Sequence, residues 1–142
     1  MAVLLDTDHL SVLQWQEQPA CDRLLARLDQ LPADDVATSI VSFHEQVQGC
    51  LAYLNRSRKP EQIVTAYEKL EIIWRWFLKM NVAPYTSEAQ VCFSRIKRLC
   101  PRVQTLDLRI ASIAITTDST LLPRNLRDFR QVSGLRFEDW TV

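Results

Sequence analysis

The sequence has few of the residues that several common kinds of site require. It contains two glycines and no GxGxxG or GxxxxGK[ST] segment, so the glycine-rich loops that cradle nucleotide phosphates are not expected. Its four cysteines are widely spaced with no CxxC pair, and it has only two histidines, which argues against a zinc site or a thioredoxin-type redox pair. No apolar run approaches the roughly 18 residues of a membrane span, and no leader-like segment opens the chain. We therefore expect a cytoplasmic protein with reduced thiols and no membrane partner.

Length and charge narrow the class of protein further. A chain of 142 residues with 47% hydrophobic content predicts one compact domain, spanning residues 1–142. The net charge is zero, but residues 94–136 carry nine basic and only three acidic side chains. Such a segment suits a polyanionic substrate, although an ordinary solvated basic face would look the same.

Short apolar runs alternate with longer segments of helical periodicity. The runs predict strands at residues 3–5, 36–41, 81–85, 120–122 and 135–137. The periodic segments predict helices at residues 9–17, 19–31, 42–54, 61–79, 87–99 and 106–116, with a loop or one helical turn at 125–132. Strands that alternate with helices indicate an α/β fold, here a three-layer α/β/α domain around a mostly parallel sheet of four to five short strands.

Four acidic residues occupy equivalent places in this predicted order. Asp6 follows the first strand, Glu45 and Asp107 stand near the starts of helices, and Asp128 follows the fourth strand. The carboxyl ends of parallel strands meet at one edge of a sheet, so the four side chains are expected to converge. Carboxylates this close repel one another unless a cation lies between them, and Mg²⁺ or Mn²⁺ prefers such oxygen ligands. A metal held there can activate water and neutralise the charge that develops on a phosphodiester.

Each acid also has a structural interpretation that the sequence leaves open. Glu45 completes a Ser-x-x-Glu capping box with Ser42, and Asp107 suits a helix start electrostatically. Asp128 stands among arginines and is typical of a surface ion pair. Asp8 is expected to cap the first helix or to support a ligand. Asp6 is the hardest to explain structurally, because an acid at the end of a buried strand has little purpose there.

Four stretches of the chain resemble the PIN domain, and closely the VapC-type toxin ribonucleases of prokaryotic toxin–antitoxin pairs. They are LLDTDHLS (residues 4–11), SIVSFHEQVQG (39–49), LDLRIASIAI (106–115) and RNLRDFRQVSGLRFEDW (124–140). The resemblance covers nearly the whole chain, and its last segment is the most specific. It implies a PIN-like fold and a Mg²⁺- or Mn²⁺-dependent endoribonuclease that acts on RNA. It also implies a cognate antitoxin and a homodimer.

The resemblance assigns roles to individual residues. The acids of the family fall on Asp6, Glu45, Asp107 and Asp128, and Asn125 matches a polar position that supports the site. Asp6 and Asp107 would hold the metal, the other two acids would complete its ligands directly or through water, and a bound water would attack the phosphodiester. Three arginines of the last segment would contact RNA phosphates or a partner's acids: Arg124, Arg127 and Arg130. The family usually has a threonine or serine where this chain has Pro123.

Two other functions remain open at this stage. A strand followed by Asp-x-Asp also begins haloacid-dehalogenase-like phosphatases, in which Asp6 would be the nucleophile. Such an enzyme would hydrolyse para-nitrophenyl phosphate, but the chain is short for that class, and Lys79 and Lys97 fall inside predicted helices. The other alternative is a catalytically weakened PIN module that acts only by binding proteins, which the missing hydroxyl at Pro123 favours. Exposed aromatic side chains would serve a protein partner, and Trp15, Trp74 and Trp76 are candidates, although core packing is the commoner role.

Overall fold

The computed structural model describes residues 2–142 and has a parallel four-stranded sheet at its centre. The strands are β1 (Val3–Leu5), β2 (Val36–Ser39), β3 (Asn81–Ala83) and β4 (Thr120–Leu122). Their order across the sheet is β3-β2-β1-β4, and every neighbouring pair is parallel. This confirms the predicted α/β class with its parallel sheet.

Seven α-helices connect and cover the strands within the described part of the chain. They are α1 (Thr7–Trp15), α2 (Ala20–Leu28), α3 (Ile40–Arg56), α4 (Pro60–Lys79), α5 (Ser87–Leu99), α6 (Thr105–Thr116) and α7 (Leu126–Phe129). The predicted bounds of α5 are confirmed at both ends, and α4 begins one residue earlier than predicted. Between residues 2 and 142, no helix combines the length and apolar character that crossing a membrane requires.

The three layers follow from the alternation of side chains along the strands. Leu4 packs with α5 and α6 on one face, whereas Val3 and Leu5 pack with α1 and α2 on the other. Leu121 and Leu122 of β4 divide between the same two faces. Because both faces of the sheet are covered by helices, the central strand β1 is apolar at every position and not alternately polar.

Several predicted boundaries are wrong, and three of them concern β2, the closing strand and the end of α3. The strand predicted at residues 36–41 ends at Ser39, because the Ser39 hydroxyl accepts a hydrogen bond from the Ser42 amide at 3.0 Å and caps α3. The closing strand predicted at 135–137 forms only one bridge, from Phe137 to Leu121. The helix predicted at residues 42–54 ends later than predicted, since α3 continues to Arg56.

The expectation of core packing for the three tryptophans holds for only one of them. Trp15 is 43% exposed and Trp74 is 55% exposed, whereas Trp76 is partly buried against two apolar clusters. Leu25 of α2 is also exposed. The surface of α1, α2 and α4 is therefore more apolar than helical periodicity alone indicates.

The order of strands creates a switch point beside β1. The chain runs from β1 to β2 and β3 in one direction, and β4 then pairs with the opposite side of β1. In open α/β sheets, ligands bind outside the carboxyl ends of the strands at such a point. Strands β1 and β4 end in register, with Leu5 opposite Leu122. The residues that follow these two strands are therefore brought to the same edge.

Candidate metal and phosphodiester site

Asp6 leaves β1 directly at the switch point and is only 5% exposed. Its carboxylate accepts a hydrogen bond from the Thr7 amide at 2.7 Å and so caps α1. The helix therefore starts at Thr7, and the prediction that Asp8 caps a helix beginning at His9 is wrong. Asp8 lies in the first turn of α1 and is exposed. A negative charge is favourable at both places because the positive end of the helix dipole is there.

Glu45 lies more than one turn into α3, and its side chain is directed towards α1. The Thr7 hydroxyl donates a hydrogen bond to Glu45 Oε1 at 2.8 Å. The predicted capping box of Ser42 and Glu45 does not form, because Ser39 caps this helix. Glu45 therefore does not cap α3. Thr7 holds the Glu45 side chain beside Asp6, because its hydroxyl binds Glu45 and its backbone amide binds Asp6.

Asp107 and Asp128 come from the other side of the switch point. Asp107 is in the first turn of α6, near the helix start as predicted, and its side chain is partly buried. Asp128 lies in α7, where its Oδ2 accepts a hydrogen bond from Asn125 Nδ2 at 2.9 Å. The surface ion pair expected for Asp128 is not formed by any residue between 2 and 142. Asn125 orients this carboxylate instead.

The pKa values of the acids show that their charges interact. Burial raises the pKa of Asp6 to about 8, the Thr7 amide opposes this, and the charges of Asp107, Glu45 and Asp8 raise it further. The pKa of Asp107 is raised to about 6, first by burial and then by Glu45, Asp128 and Asp8. Burial also raises the pKa of Glu45, against the hydrogen bond from Thr7. Asp6, Glu45, Asp107 and Asp8 therefore form one electrostatic group, to which Asp128 is connected through Asp107.

Within residues 2–142, the acids of this group have no ion-pair partner. In the described residues, none of these five acids forms an ion pair with a lysine, arginine or histidine. A carboxylate as buried as Asp6 is costly to keep charged unless a cation or several hydrogen bonds compensate it. The donors are all oxygens, which suits Mg²⁺ or Mn²⁺ and not a soft metal.

The carboxylates do not, however, form a closed ligand cage. Within residues 2–142, no three His, Cys, Asp or Glu side chains are grouped so that they could hold a metal ion by themselves. Mg²⁺ commonly takes only one or two carboxylates and completes its octahedron with waters and substrate phosphate oxygens. The residues present fit a site of that open kind, in which an incoming phosphate supplies part of the coordination.

Sequence reasoning missed one residue of this group. Thr7 was quoted as part of a motif but received no role, although it contacts both Asp6 and Glu45. Its position directly after the strand-ending acid was the available signal. A hydroxyl there can reach a side chain on a neighbouring helix while its amide binds the preceding carboxylate.

Comparison with known proteins finds relatives that match this chain over nearly the whole length of both proteins. No family model matches it. It is 25% identical to Ribonuclease VapC1 of Haemophilus influenzae, over 99% of each chain. Its fold matches the VapBC-1 structure from nontypeable Haemophilus influenzae with a TM-score of 0.78, 19% identity and full coverage of both chains. A member of the VapBC family of toxin–antitoxin systems from Mycobacterium tuberculosis matches with a TM-score of 0.62 and 20% identity, over 98% of this chain and 99% of that one. The structural matches confirm the PIN-like fold that the resemblance implied.

Proposed function

We propose that this chain, a PIN-like relative of the VapC ribonucleases, is a divalent-metal-dependent endoribonuclease and the toxin of a toxin–antitoxin pair. The observation that carries the proposal is the group of the buried Asp6 and the partly buried Glu45 and Asp107 at the switch point of the sheet, none of which forms an ion pair within residues 2–142. The full-length relationship to Ribonuclease VapC1 supports RNA as the substrate. The basic segment at residues 94–136 supports a polyanion as well.

The residues of the site divide the work as follows. Asp6 and Asp107 would hold Mg²⁺ or Mn²⁺, with Glu45 and Asp128 as further oxygen donors. When bound, the metal would supply an activated water and neutralise charge on the phosphodiester. Thr7 fixes the side chain of Glu45 next to Asp6, and Asn125 fixes the side chain of Asp128. Asp8 adds negative charge at the rim and so favours the bound cation.

The alternative of a phosphatase has less support from this geometry. Lys79 is the last residue of α4, and Lys97 lies in the last turn of α5, where it donates a hydrogen bond to the Val103 carbonyl at 3.3 Å. Neither lysine follows a strand, where a phosphatase of this class would need it. One oxygen of the Asp6 carboxylate accepts the hydrogen bond that caps α1. The neighbouring carboxylates repel a phosphate ester and so disfavour its attack by Asp6.

A protein partner is part of the proposal. The related structures are of VapBC toxin–antitoxin systems, and the outer face of α4 offers an apolar stripe for an antitoxin. The stripe consists of exposed residues three to seven positions apart, namely Val64, Tyr67, Trp74 and Leu78. A homodimer, which the resemblance implies, stays a prediction.

We place the activity in the cytoplasm, which the four buried, free cysteines support.

The decisive experiment incubates the purified protein with folded RNA in Mg²⁺, in Mn²⁺ and in EDTA. We expect cleavage with either metal and none in EDTA. Asp6→Asn and Asp107→Asn should abolish cleavage, whereas Asp34→Asn, an exposed acid before β2 at the opposite edge of the sheet, should leave it unchanged. Equal cleavage by the wild type and both site variants would refute the proposal, as would cleavage that EDTA does not affect.

A further inference from the structure

A groove between α1, α3 and α4 leads away from the acidic group. It has a volume of about 520 Å³, and Thr7, Gln14, Trp15, Tyr53, Arg56 and Lys69 are among its lining residues. Thr7 is shared between the two features, because its hydroxyl binds Glu45 and its side chain borders the groove. Any ligand in this groove therefore reaches the edge of the candidate site.

The far end of the groove carries positive charge that no acid of the described chain neutralises. The Arg56 guanidinium lies 5.3 Å from the centre of the Tyr53 ring, and the Lys69 ammonium lies 4.6 Å from it. Neither cation forms an ion pair within residues 2–142, and the groove lining contains no Asp or Glu. The turn that follows adds the exposed Arg58 and Lys59. Both cations contact the Tyr53 ring, which holds them at the groove. Their positive charges remain available to a negatively charged ligand.

The middle of the groove is polar but uncharged. Gln14 and Gln46 exchange amide hydrogen bonds of 2.9 and 2.6 Å across the α1–α3 contact, and Gln46 also donates to the Ser11 hydroxyl at 3.3 Å. Next to them, Trp15 is 43% exposed, an unusual state for the largest aromatic side chain. A cationic groove with an available aromatic ring is the combination that binds single-stranded nucleic acid by phosphate contact and base stacking.

The length of the groove also suits an extended strand. From Glu45 to Arg56 the axis of α3 rises by about 16 Å, which spans a few nucleotides. We infer that the α1–α3–α4 groove binds the single-stranded RNA segment adjoining the scissile phosphate, with Arg56 and Lys69 contacting backbone phosphates and Trp15 stacking on a base. The inference rests on the proposed ribonuclease function and adds to it the path of the substrate. An RNA strand is favoured over a peptide because the charged side chains of the lining are all positive and the groove reaches Thr7, which binds Glu45.

The test measures RNA binding separately from cleavage. A fluorescein-labelled stem-loop RNA with single-stranded flanks is titrated with full-length protein in EDTA, over a series of salt concentrations. The groove variant is Arg56→Gln/Lys69→Gln, and the matched control is Arg23→Gln/Lys79→Gln, which removes two exposed charges that lie neither in the groove lining nor in residues 94–136. Steady-state cleavage with Mn²⁺ gives KM and kcat for the same proteins.

We expect the groove variant to bind RNA on the order of 10-fold more weakly at 0.1 M salt, with a salt slope smaller by about 1.4. Its KM should rise with kcat nearly unchanged, because binding is lost and the acidic group is intact. Trp15→Leu should weaken binding without changing the salt slope, since stacking releases no counterions. The control variant should match the wild type in all three measurements.

Two results would overturn the inference while leaving the ribonuclease proposal standing. The first is a groove variant that binds and cleaves RNA as the control variant does. The second is unchanged RNA binding together with a loss of affinity for the co-expressed antitoxin, which would assign the groove to a protein partner. The converse result is also possible to recognise. If the protein never cleaves RNA but binds it in EDTA, and the groove variant binds it more weakly, the ribonuclease proposal is refuted and the groove stays assigned to RNA.

Discussion

Asp6 and His9 lie one turn apart at the start of α1, and both are almost completely buried, but their surroundings differ. His9 Nε2 accepts a hydrogen bond from the Trp140 amide at 3.1 Å, so its uncharged form ties α1 to the end of the chain. Burial lowers its pKa to about 4, Asp139 opposes this, and Arg124 adds to it. Asp6 has a hydrogen bond from Thr7, but its other near neighbours are acids, and its pKa is raised to about 8.

The difference separates a structural group from a group that needs a ligand. The polar contacts of His9 are made within the protein, apart from Nδ1, which has no hydrogen-bond partner in the described residues. The environment of Asp6 favours a positive charge that the described protein does not supply. Burial alone therefore does not mark a functional residue, whereas burial among like charges does.

The largest expected effect is at Asp6. In Asp6→Asn we expect cleavage to fall on the order of 10³-fold, because a metal ligand contributes several kcal/mol to the transition state. The free energy of unfolding should equal or exceed that of the wild type, since asparagine caps a helix as well as aspartate and the buried charge is gone. Urea unfolding and a cleavage assay measure the two quantities.

A second readout on the same variant does not depend on activity. Mn²⁺ should raise the thermal midpoint of the wild type and of Asp34→Asn but not that of Asp6→Asn. A metal that binds the folded protein stabilises it, and Asp6→Asn removes a residue that binds the metal. A midpoint that Mn²⁺ raises equally in Asp6→Asn would remove Asp6 from the metal site. Loss of folding in this variant would make Asp6 structural, like His9.

The next effect concerns His9 and the pH dependence of stability. Its pKa is about 4 in the folded protein and 6.5 ordinarily, so between these values the unfolded chain binds a proton that the folded protein does not. The free energy of unfolding therefore falls as the pH decreases from about 6.5 to about 4, by up to roughly 3 kcal/mol. Because the raised pKa of Asp6 acts in the opposite direction over this range, the measurement is made in Asp6→Asn.

The comparison variant is His9→Gln in the same background, where the glutamine oxygen can still accept the Trp140 hydrogen bond. Urea unfolding at a series of pH values should show a smaller loss of stability on acidification than in Asp6→Asn alone. Contributions from titratable groups that do not interact with His9 are common to both proteins. Parallel curves would show that His9 does not carry the acid sensitivity.

The sequence predicted most of this arrangement because its signals are local. The short apolar runs of β1 and β4 and the periodicity of α5 determine those elements by themselves. Asp6 could be selected because an acid at the end of a buried strand has few structural explanations. The start of α3 was missed because Ile40 and Val41 favour a strand by themselves, and only the hydrogen bond between Ser39 and Ser42 starts the helix there.

Contacts between distant segments could not be predicted in the same way. The hydroxyl of Thr7 meets Glu45 across 38 positions of sequence, and His9 meets Trp140 across 131. The Glu-Asp-Trp that closes the last matching segment makes contacts within the end of the chain and with α2: Trp140 Nε1 donates to Glu138 at 2.7 Å, and the Arg27 guanidinium lies 4.3 Å from the centre of the Trp140 ring. One matching segment can thus contain both residues of the candidate site, Asn125 and Asp128, and residues with structural contacts.

Thr7 gives an intermediate effect, because it supports the acids without being one. Thr7→Val removes the hydrogen bond to Glu45 and keeps the shape, so we expect cleavage to fall roughly 10-fold. Thr7→Ser keeps the hydroxyl and should restore most of the activity. The concentration of Mn²⁺ that gives half-maximal cleavage should rise in the valine variant only. If valine and serine variants behave alike, the hydroxyl has no positioning role and Thr7 belongs with the structural residues.

The smallest effect is expected at Asn125, which lies at the exposed side of the site. Its amide donates to Asp128, but both side chains are accessible to water that can replace the bond, so Asn125→Ala should lower kcat only a few-fold. Asp128 is connected to the buried acids only through Asp107, so the Mn²⁺-induced rise of the thermal midpoint should remain. An effect as large as that of Asp6→Asn would place Asp128 among the primary ligands and would extend the buried acidic group across the switch point to α7.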